Sequence, residues 1–296
     1  MSILTQRILF VLMIITCIVL FIAFMSYALS FFVVDVTNYT VSSIKIPKEF
    51  DGFKILQLSD LHNYSFGKNN KKILKIIEKQ SPDIIVFTGD MVNTNSKNYN
   101  NFYNLAKNLA KNYPTYYIMG NHELKLSGKE QLQMILKLKS LGINVLNNSE
   151  AAIAQGGELI YLHGLHQPVL TYKNNFKNND YYDFTLAQMT QLLHSPNPNY
   201  FNVLLAHSPF DFEIFANWGA DLVLSGHVHG GLIRAPFIGG ILSPERALFP
   251  KYSAGEYNIG DSKMLVSRGL GNSSFPFRFN NKPVVVVAQL KRRKNT

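Results

Sequence analysis

"LVLSGHVHGG", residues 222–231, decides how the rest of the chain is read. Its first half is a short apolar run of the kind that forms a buried strand, and Gly226 ends it. Two histidines follow, His227 and His229, where a strand that only packs a core has no use for them. In extended chain, residues i and i+2 point to the same side, so this spacing aims both imidazoles at one object.

The same grammar recurs upstream. "LQLSDLH" ends in Asp60 and His62, "VFTGD" in Asp90, "IMGNHE" in Asn121 and His122, and "LLAHSP" in His207. Helical patterns around residues 70–80, 101–111 and 129–140 separate the early runs, and others lie near 185–193 and 212–217. Strands alternating with helices predict an α/β core. The later runs "ELIYLHG", "KMLVSRG" and "KPVVVVAQL" make the second half richer in strands and predict a sheet packed on a sheet. Ligands of open α/β sheets bind outside the carboxyl ends of the strands, so these polar ends can converge on one crevice. Asp60 with His62, and His227 with His229, are expected to face it in pairs, while adjacent Asn121 and His122 diverge. Gly89, Gly120 and Gly226 are expected to permit sharp turns beside the donors.

Asp60, Asp90, Asn121, His62, His207, His227 and His229 offer more donors than a tetrahedral zinc site, which takes about four. They suit two divalent ions sharing a carboxylate, and oxygen and nitrogen donors without sulfur favour Mn, Fe or Zn. Such a pair, about 3.5–4 Å apart, can generate hydroxide near neutral pH and clamp both oxygens of an in-line displacement at phosphorus. Taken singly, an aspartate after a strand is a turn former and a histidine is core filling. All these strand ends carrying metal-competent groups together is what sets that reading aside.

Composition narrows the rest. Of 296 residues, 47% are hydrophobic and 16% charged, which predicts a substantial core. The formal charge of +10 suits acidic surfaces or phosphate, but no basic stripe interleaved with aromatics favours nucleic acid. One cysteine, Cys17, excludes internal disulfides and thiolate metal sites. From Ile8 to Val34 there is no charged residue, enough to cross a bilayer core that needs about 20 helical residues. "YALS" (27–30) is a loose cleavage-site pattern, but the run is longer than a typical signal peptide and continues, so an uncleaved anchor is expected. Arg7 precedes it and Lys45 and Lys48 follow, so charge barely sets its orientation. A short tail kept inside would put the domain outside the cytoplasm. The expected organisation is an anchor (1–34), a linker with an edge strand (35–52), one domain (53–290) and a solvated basic tail (291–296).

D-x-H, GD, GNHE, a strand-ending His and GHxH, in that order, resemble the calcineurin-like metallophosphoesterase superfamily, from about residue 53 to the C-terminus. "IRAPFIGGILSPERALFPKYSAGEY" and "LVSRGLGNSSFPFRFNNKP" further resemble its membrane-associated bacterial YkuE/YaeI-like branch, in which an N-terminal anchor or export signal occurs and which includes some UDP-2,3-diacylglucosamine pyrophosphatases. The resemblance implies two mixed β-sheets packed face to face and flanked by helices. It implies that Asp60, His62 and His229 ligate one metal, that Asn121, His207 and His227 ligate the other, and that Asp90 bridges. His122 would contact the phosphate and assist the leaving oxygen. The chain departs from the branch at "LHQP" (165–168), where an acidic pair is expected, so His166 and Gln167 alter the pocket. His166, Arg234 and Arg268 are candidate substrate contacts, with Arg278 a further guanidinium in the branch-like loops, whereas His163 and His194 are read as structural. The aromatic and proline loops at 237–250 and 275–279 are expected to cover the cleft, an apolar rim suited to a lipid-linked substrate.

The expected function is therefore a membrane-anchored, dinuclear metal phosphoesterase acting on phosphate mono- or diesters, or on a lipid-linked or nucleotide-type pyrophosphate. The rival is a non-catalytic membrane protein that uses the centre to hold phosphorylated headgroups. A purely structural anchored protein is the third reading.

Overall fold

The structure is a computed structural model and describes residues 2–168, 171–172, 184–235, 237–243, 247–272 and 278–294. Of the predicted aromatic and proline loops, residues 244–246 and 275–277 lie outside them. In chain order the elements begin with α1 (Ile3–Phe32), β1 (Asp35–Ser43), β2 (Lys54–Leu58), α2 (Lys71–Gln80), β3 (Ile84–Thr88), α3 (Asn100–Ala110) and β4 (Thr115–Ile118). Next come α4 (Asn121–Leu124), α5 (Gly128–Ser140), β5 (Ile143–Val145), β6 (Ser149–Gln155), β7 (Glu158–Gly164), α6 (Leu186–Leu193) and β8 (Asn202–Leu205). The last are α7 (Phe212–Trp218), β9 (Leu222–Ser225), β10 (Ile233–Ala235), β11 (Gly239–Leu242), β12 (Gly255–Ile259), β13 (Ser262–Val266) and β14 (Val284–Arg292).

Two six-stranded mixed sheets form, in the orders β1-β14-β2-β3-β4-β5 and β12-β13-β9-β8-β7-β6, beside a β10–β11 ribbon. Strands buried on both faces read as continuous apolar runs, and alternate residues part company. Ile55, Val86, Ile118, Val203, Leu205, Leu222, Leu224 and Val286 meet between the sheets. Leu56, Leu58 and Phe87 turn outward under Ile73 and Ile77 of α2, Phe102 and Leu105 of α3, and Met134 and Leu138 of α5. Leu204 and Val223 do the same under Met189 and Leu193 of α6 and Phe212 and Phe215 of α7. The result is the expected sandwich flanked by helices. Capping boxes at Ser127–Glu130 and Thr185–Gln188 set the starts of α5 and α6.

The expected edge strand is present, and the C-terminal end departs from expectation. Residues 35–43 are a full strand at the sheet edge, paired with β14 from Asp35↔Val284 to Ser43↔Arg292. The same ladder draws Lys291 and Arg292 out of the predicted tail, and Asp51 fastens them, its carboxylate meeting Lys291 Nζ at 3.1 Å and accepting from Arg292 N–H at 2.8 Å. Only Val33 and Val34 separate α1 from β1. Because β1 runs parallel to β14 and β14 antiparallel to β2, β1 begins at the end of the sandwich where β2 finishes.

Candidate metal centre

Asp60 and His62 follow β2, Asp90 follows β3, Asn121 and His122 open α4 after β4, His207 follows β8, and His227 and His229 follow β9. The predicted reason for their convergence is corrected. The pairs are not extended: φ is 52° at Asp60, 48° at His62, 52° at Asp90, 71° at His227 and 53° at His229. The strand ladders stop at Leu58↔Phe87 and Leu205↔Leu224. Beyond them the loops bond to each other, Asp60 N–H to Gly89 O at 3.0 Å, His62 N–H to Asp90 O at 3.0 Å, and Gly226 N–H to His207 O at 2.9 Å. Left-handed non-glycine residues cost on the order of 1 kcal/mol or more each and persist where surroundings over-determine them, often at functional sites.

Gly89 is left-handed, with φ 90°, whereas Gly120 and Gly226 are not. Their role is close approach. A Cβ at Gly120 would run into the Asp90 carboxylate, and one at Gly226 into the Ser59 hydroxyl and the Asp60 carboxylate.

The donors form overlapping groups. Asp60, His62 and His229 make one, Asp90, His207 and His227 another, and His62, Asp90 and His122 lie between, with the ligand atoms of each group within 4.8 Å of one another. Asp90 Oδ2 stands 3.3 Å from His207 Nε2 and 3.8 Å from His62 Nε2, and Asn121 Oδ1 is 3.1 Å from His207 Nε2. Asp60 Oδ1 is 3.5 Å from His229 Nε2, and the Asp60 carboxylate also accepts from the backbone N–H of His227. Asn121 and His122 diverge as predicted, because neighbours at the start of a helix are splayed around its axis. Asn121 turns to His207, whereas the His122 ring meets His62 edge-on, with centroids 4.7 Å apart.

Outer partners orient the rings. His207 Nδ1 donates to the Thr88 carbonyl at 2.7 Å, which aims Nε2 at Asn121 Oδ1 and the Asp90 carboxylate. Asn93 Nδ2 donates to His62 O, so its Oδ1 accepts from His62 Nδ1 at 2.8 Å and frees Nε2. The backbone N–H of Thr94 donates to His122 Nδ1, placing that ring's proton on Nε2, which is 4.0 Å from Asp90 Oδ2. Arg278 Nη2 lies 3.2 Å from His229 Nδ1, and His62 Nε2 faces His229 Nε2 at 3.0 Å.

Charge follows from burial. Desolvation lowers the pKa of His62 to about 4 and of His227 to about 3, and His229 and His122 move the same way. These rings are neutral at pH 7, as metal ligands must be. His207 is the exception. Burial pulls it down, but Asp90 and Asp60 outweigh that and raise it to about 9. Burial likewise pushes Asp90 up, yet His207, His122 and His62 hold it well below the usual carboxylate range. Asp60, with less compensation and Asp90 nearby, is raised to about 6. Buried carboxylates and neutral imidazoles aimed at one another without sulfur fit divalent cations, and little else repays their desolvation.

The other predicted contacts have partners of their own. His166 is tied to the loop before β6, its N–H donating to Asn148 Oδ1 at 2.8 Å and its Nδ1 meeting Asn147 Oδ1 at 2.5 Å. Arg268 pairs with Asp35 at 3.1 Å, Arg234 Nη1 donates to Gly230 O, and both line a cleft of about 730 Å³. Gln167 is buried and braces the turn after His207, accepting from Ser208 N–H at 2.7 Å and donating to Asp211 at 3.1 Å. His163 is structural as expected, against Asn202 and Trp218.

Glu123, the last residue of "GNHE", had no assigned role. Its buried carboxylate accepts from the backbone N–H groups of Asp90, Met91, Val92 and Gly120, fastening two donor loops together. Burial, then Asp90, raises its pKa to about 7. Asn93 and Thr94 also went unassigned, although their place just after the "GD" turn was a signal. Arg278 was weighed only as a phosphate contact or an ion pair, and it is the arginine that reaches the centre.

Residues 53–231 match the sequence profile described as calcineurin-like phosphoesterase. The chain is similar to the uncharacterised metallophosphoesterase YkuE of Bacillus subtilis strain 168, 29% identical over 87% of this chain and 86% of that one. It is 30% identical to the phosphodiesterase YaeI of Escherichia coli K12 over 80% of this chain and 82% of the relative. A bovine transmembrane protein with a metallophosphoesterase domain is 24% identical over 83% of this chain and 55% of its own length. With that profile spanning the donor-bearing turns from Asp60 to His229, the chain belongs to the calcineurin-like phosphoesterases, hydrolases of phosphoric ester bonds.

Proposed function

We propose that this chain is a dinuclear metal-dependent phosphoesterase, held to the membrane by α1 and acting on phosphate diesters or monoesters or on a pyrophosphate link, with a small phosphorylated molecule or a lipid-linked phosphate as substrate. The observation that carries the reading is the two donor groups, Asp60–His62–His229 and Asp90–His207–His227, joined through the His62–Asp90–His122 group between them. Asp60, His62 and His229 would hold one ion, Asn121, His207 and His227 the other, and Asp90 would bridge them. Two divalent ions, Mn, Fe or Zn, would supply an activated water and neutralise charge on the phosphoryl oxygens.

The chain's own groups do the rest. Thr88 and Asn93 fix His207 and His62 with Nε2 turned toward the other donors, and Glu123 holds the loop that carries Asp90. His122, whose side chain is 17% exposed against 3% for Asp90, sits at the mouth with its ring proton on Nε2. From there it donates a hydrogen bond to the oxygen that leaves phosphorus. The name of the YaeI relative supports a diester. For the membrane, α1 is long and apolar enough to cross, and the name of the bovine relative supports an anchor. A short inner tail would leave the domain on the outer side.

The test is hydrolysis of bis-p-nitrophenyl phosphate and p-nitrophenyl phosphate by the detergent-purified chain, metal content being measured in parallel. Asp90→Asn is expected to lose more than about a hundredfold, since even an outer partner of a ligand is worth about 10–100-fold. Equal rates for variant and parent would sink the mechanism. Phosphate binding without turnover would restore the headgroup-binding reading.

A further inference from the structure

Three features meet at the end of the sandwich that bears the donors. The first is the exit of α1. β1 starts at Asp35 opposite Val284, Val284 N–H donates to Gly269 O, and the Gly269–Gly271 loop bonds to Ser59 and Asp60. The long apolar helix thus joins the domain beside the donor turns, not at the far end. The second is an apolar lip. The turn between β10 and β11 carries Phe237 at 109% exposure and Ile238 at 64%. Leu248 and Phe249, 69% and 63% exposed, lie alongside β11 through the Leu242↔Leu248 bridge and the Phe249 N–H to Ile241 O bond. Scattered exposed leucines such as Leu132 on α5 need no explanation, but four large side chains on one ribbon mark an interaction surface.

The third feature is the cationic cleft behind that lip, lined by Arg234, Lys251 and Arg268 with Phe237, Ile238 and Phe249. Lys251 pairs with Glu213, and Arg268 with Asp35 at the root of the helix. Among the described residues Arg234 has no carboxylate within ion-pair reach. Burial, then Arg268, lowers its pKa. An apolar lip before guanidinium groups matches the layering of a membrane face, acyl chains beneath anionic headgroups.

We propose that this end of the sandwich docks on an anionic bilayer, with Phe237, Ile238, Leu248 and Phe249 entering the interface and the Arg234–Arg268 cleft taking a lipid phosphate. The proposal rests on α1 being a membrane anchor. Docking turns the donor-bearing end toward the headgroup plane, so the substrates within reach are phosphoesters presented by the membrane surface. Arg234 and Arg268 then serve adhesion to the bilayer.

The test uses the full chain, Cys17→Ser, reconstituted in phosphatidylcholine vesicles with and without phosphatidylglycerol. An environment-sensitive fluorophore is placed on a single cysteine at Ile14, Ile238 or Leu132, and nitroxide lipid is the quencher. Quenching is expected at 14 and 238 but not at 132. At 238 it should weaken without phosphatidylglycerol and in Arg234→Gln, and be lost when Phe237 and Phe249 are both replaced by Ser. Quenching at 14 with none at 238 overturns the docking and leaves the anchor standing. No quenching at 14 overturns the anchor, and the docking with it.

Discussion

Leu222–Ser225 and Gly226–His229 are consecutive pieces of one chain that obey opposite rules. The first is extended, laddered on both sides and wholly apolar toward the facing sheet, with Leu222 and Leu224 fully buried. The second leaves the ladder, takes left-handed φ at both histidines and buries groups that water would otherwise solvate. The sandwich interior lowers the free energy of the fold, and the rim draws on that stability to hold donors in a geometry they would not adopt alone. Changes at the two places should therefore separate activity from stability.

The largest expected effect is on the rim. His122→Gln should reduce turnover about 10²–10⁴-fold, the usual worth of a positioned proton donor. Metal per chain, by elemental analysis, and melting temperature should stay at parental values. A fall in metal content would make His122 a ligand. Leu224→Ala tests the interior. It should lower unfolding free energy by about 2–5 kcal/mol in urea titration while leaving metal content and turnover of the folded fraction intact. Loss of metal at full folding would mean that interior and rim are not separable.

Within the rim, His227→Ala and His229→Ala should each weaken one ion and spare the other, by at least about 10–100-fold in affinity. Loss of both ions together in either variant would collapse the two groups into one. The smallest effect is on pH dependence in chelated protein. His62 and His227 bind protons only near about pH 4 and about pH 3 when folded, against 6.5 when unfolded. Their contribution is present above pH 6.5 and lost as pH falls. His207, raised to about 9, contributes fully below pH 6.5 and loses it as pH rises through 9. Melting temperature should decline on both sides, and His207→Gln should remove the alkaline decline alone. A variant that keeps it would mean that His207 is not the group responsible.

Much of this was legible beforehand. Strand runs such as "IIVF" (84–87) and "VLL" (203–205) are apolar throughout because both faces are covered, and helix spacing at Ile73–Ile77 and Met134–Leu138 is periodic because one face is. The donor types stood in view at the strand ends. Their backbone was misread, because alternation describes a strand and these residues lie just past it, where loop-to-loop bonds set φ. Gly120 and Gly226 carry a further requirement that no local pattern shows: what forbids a side chain there is Asp90 or Asp60, far away in sequence.

The sequence by itself determined which segments pack, which residues could hold metal and how strongly the first helix avoids water, because these follow from side-chain chemistry and its period. Only the tertiary structure decided that Glu123 fastens two donor loops, that Arg278 reaches the centre, and that α1 enters beside it. Those are contacts between residues distant along the chain, set by strand order and by the geometry of loops that close on one another, and no local pattern encodes them.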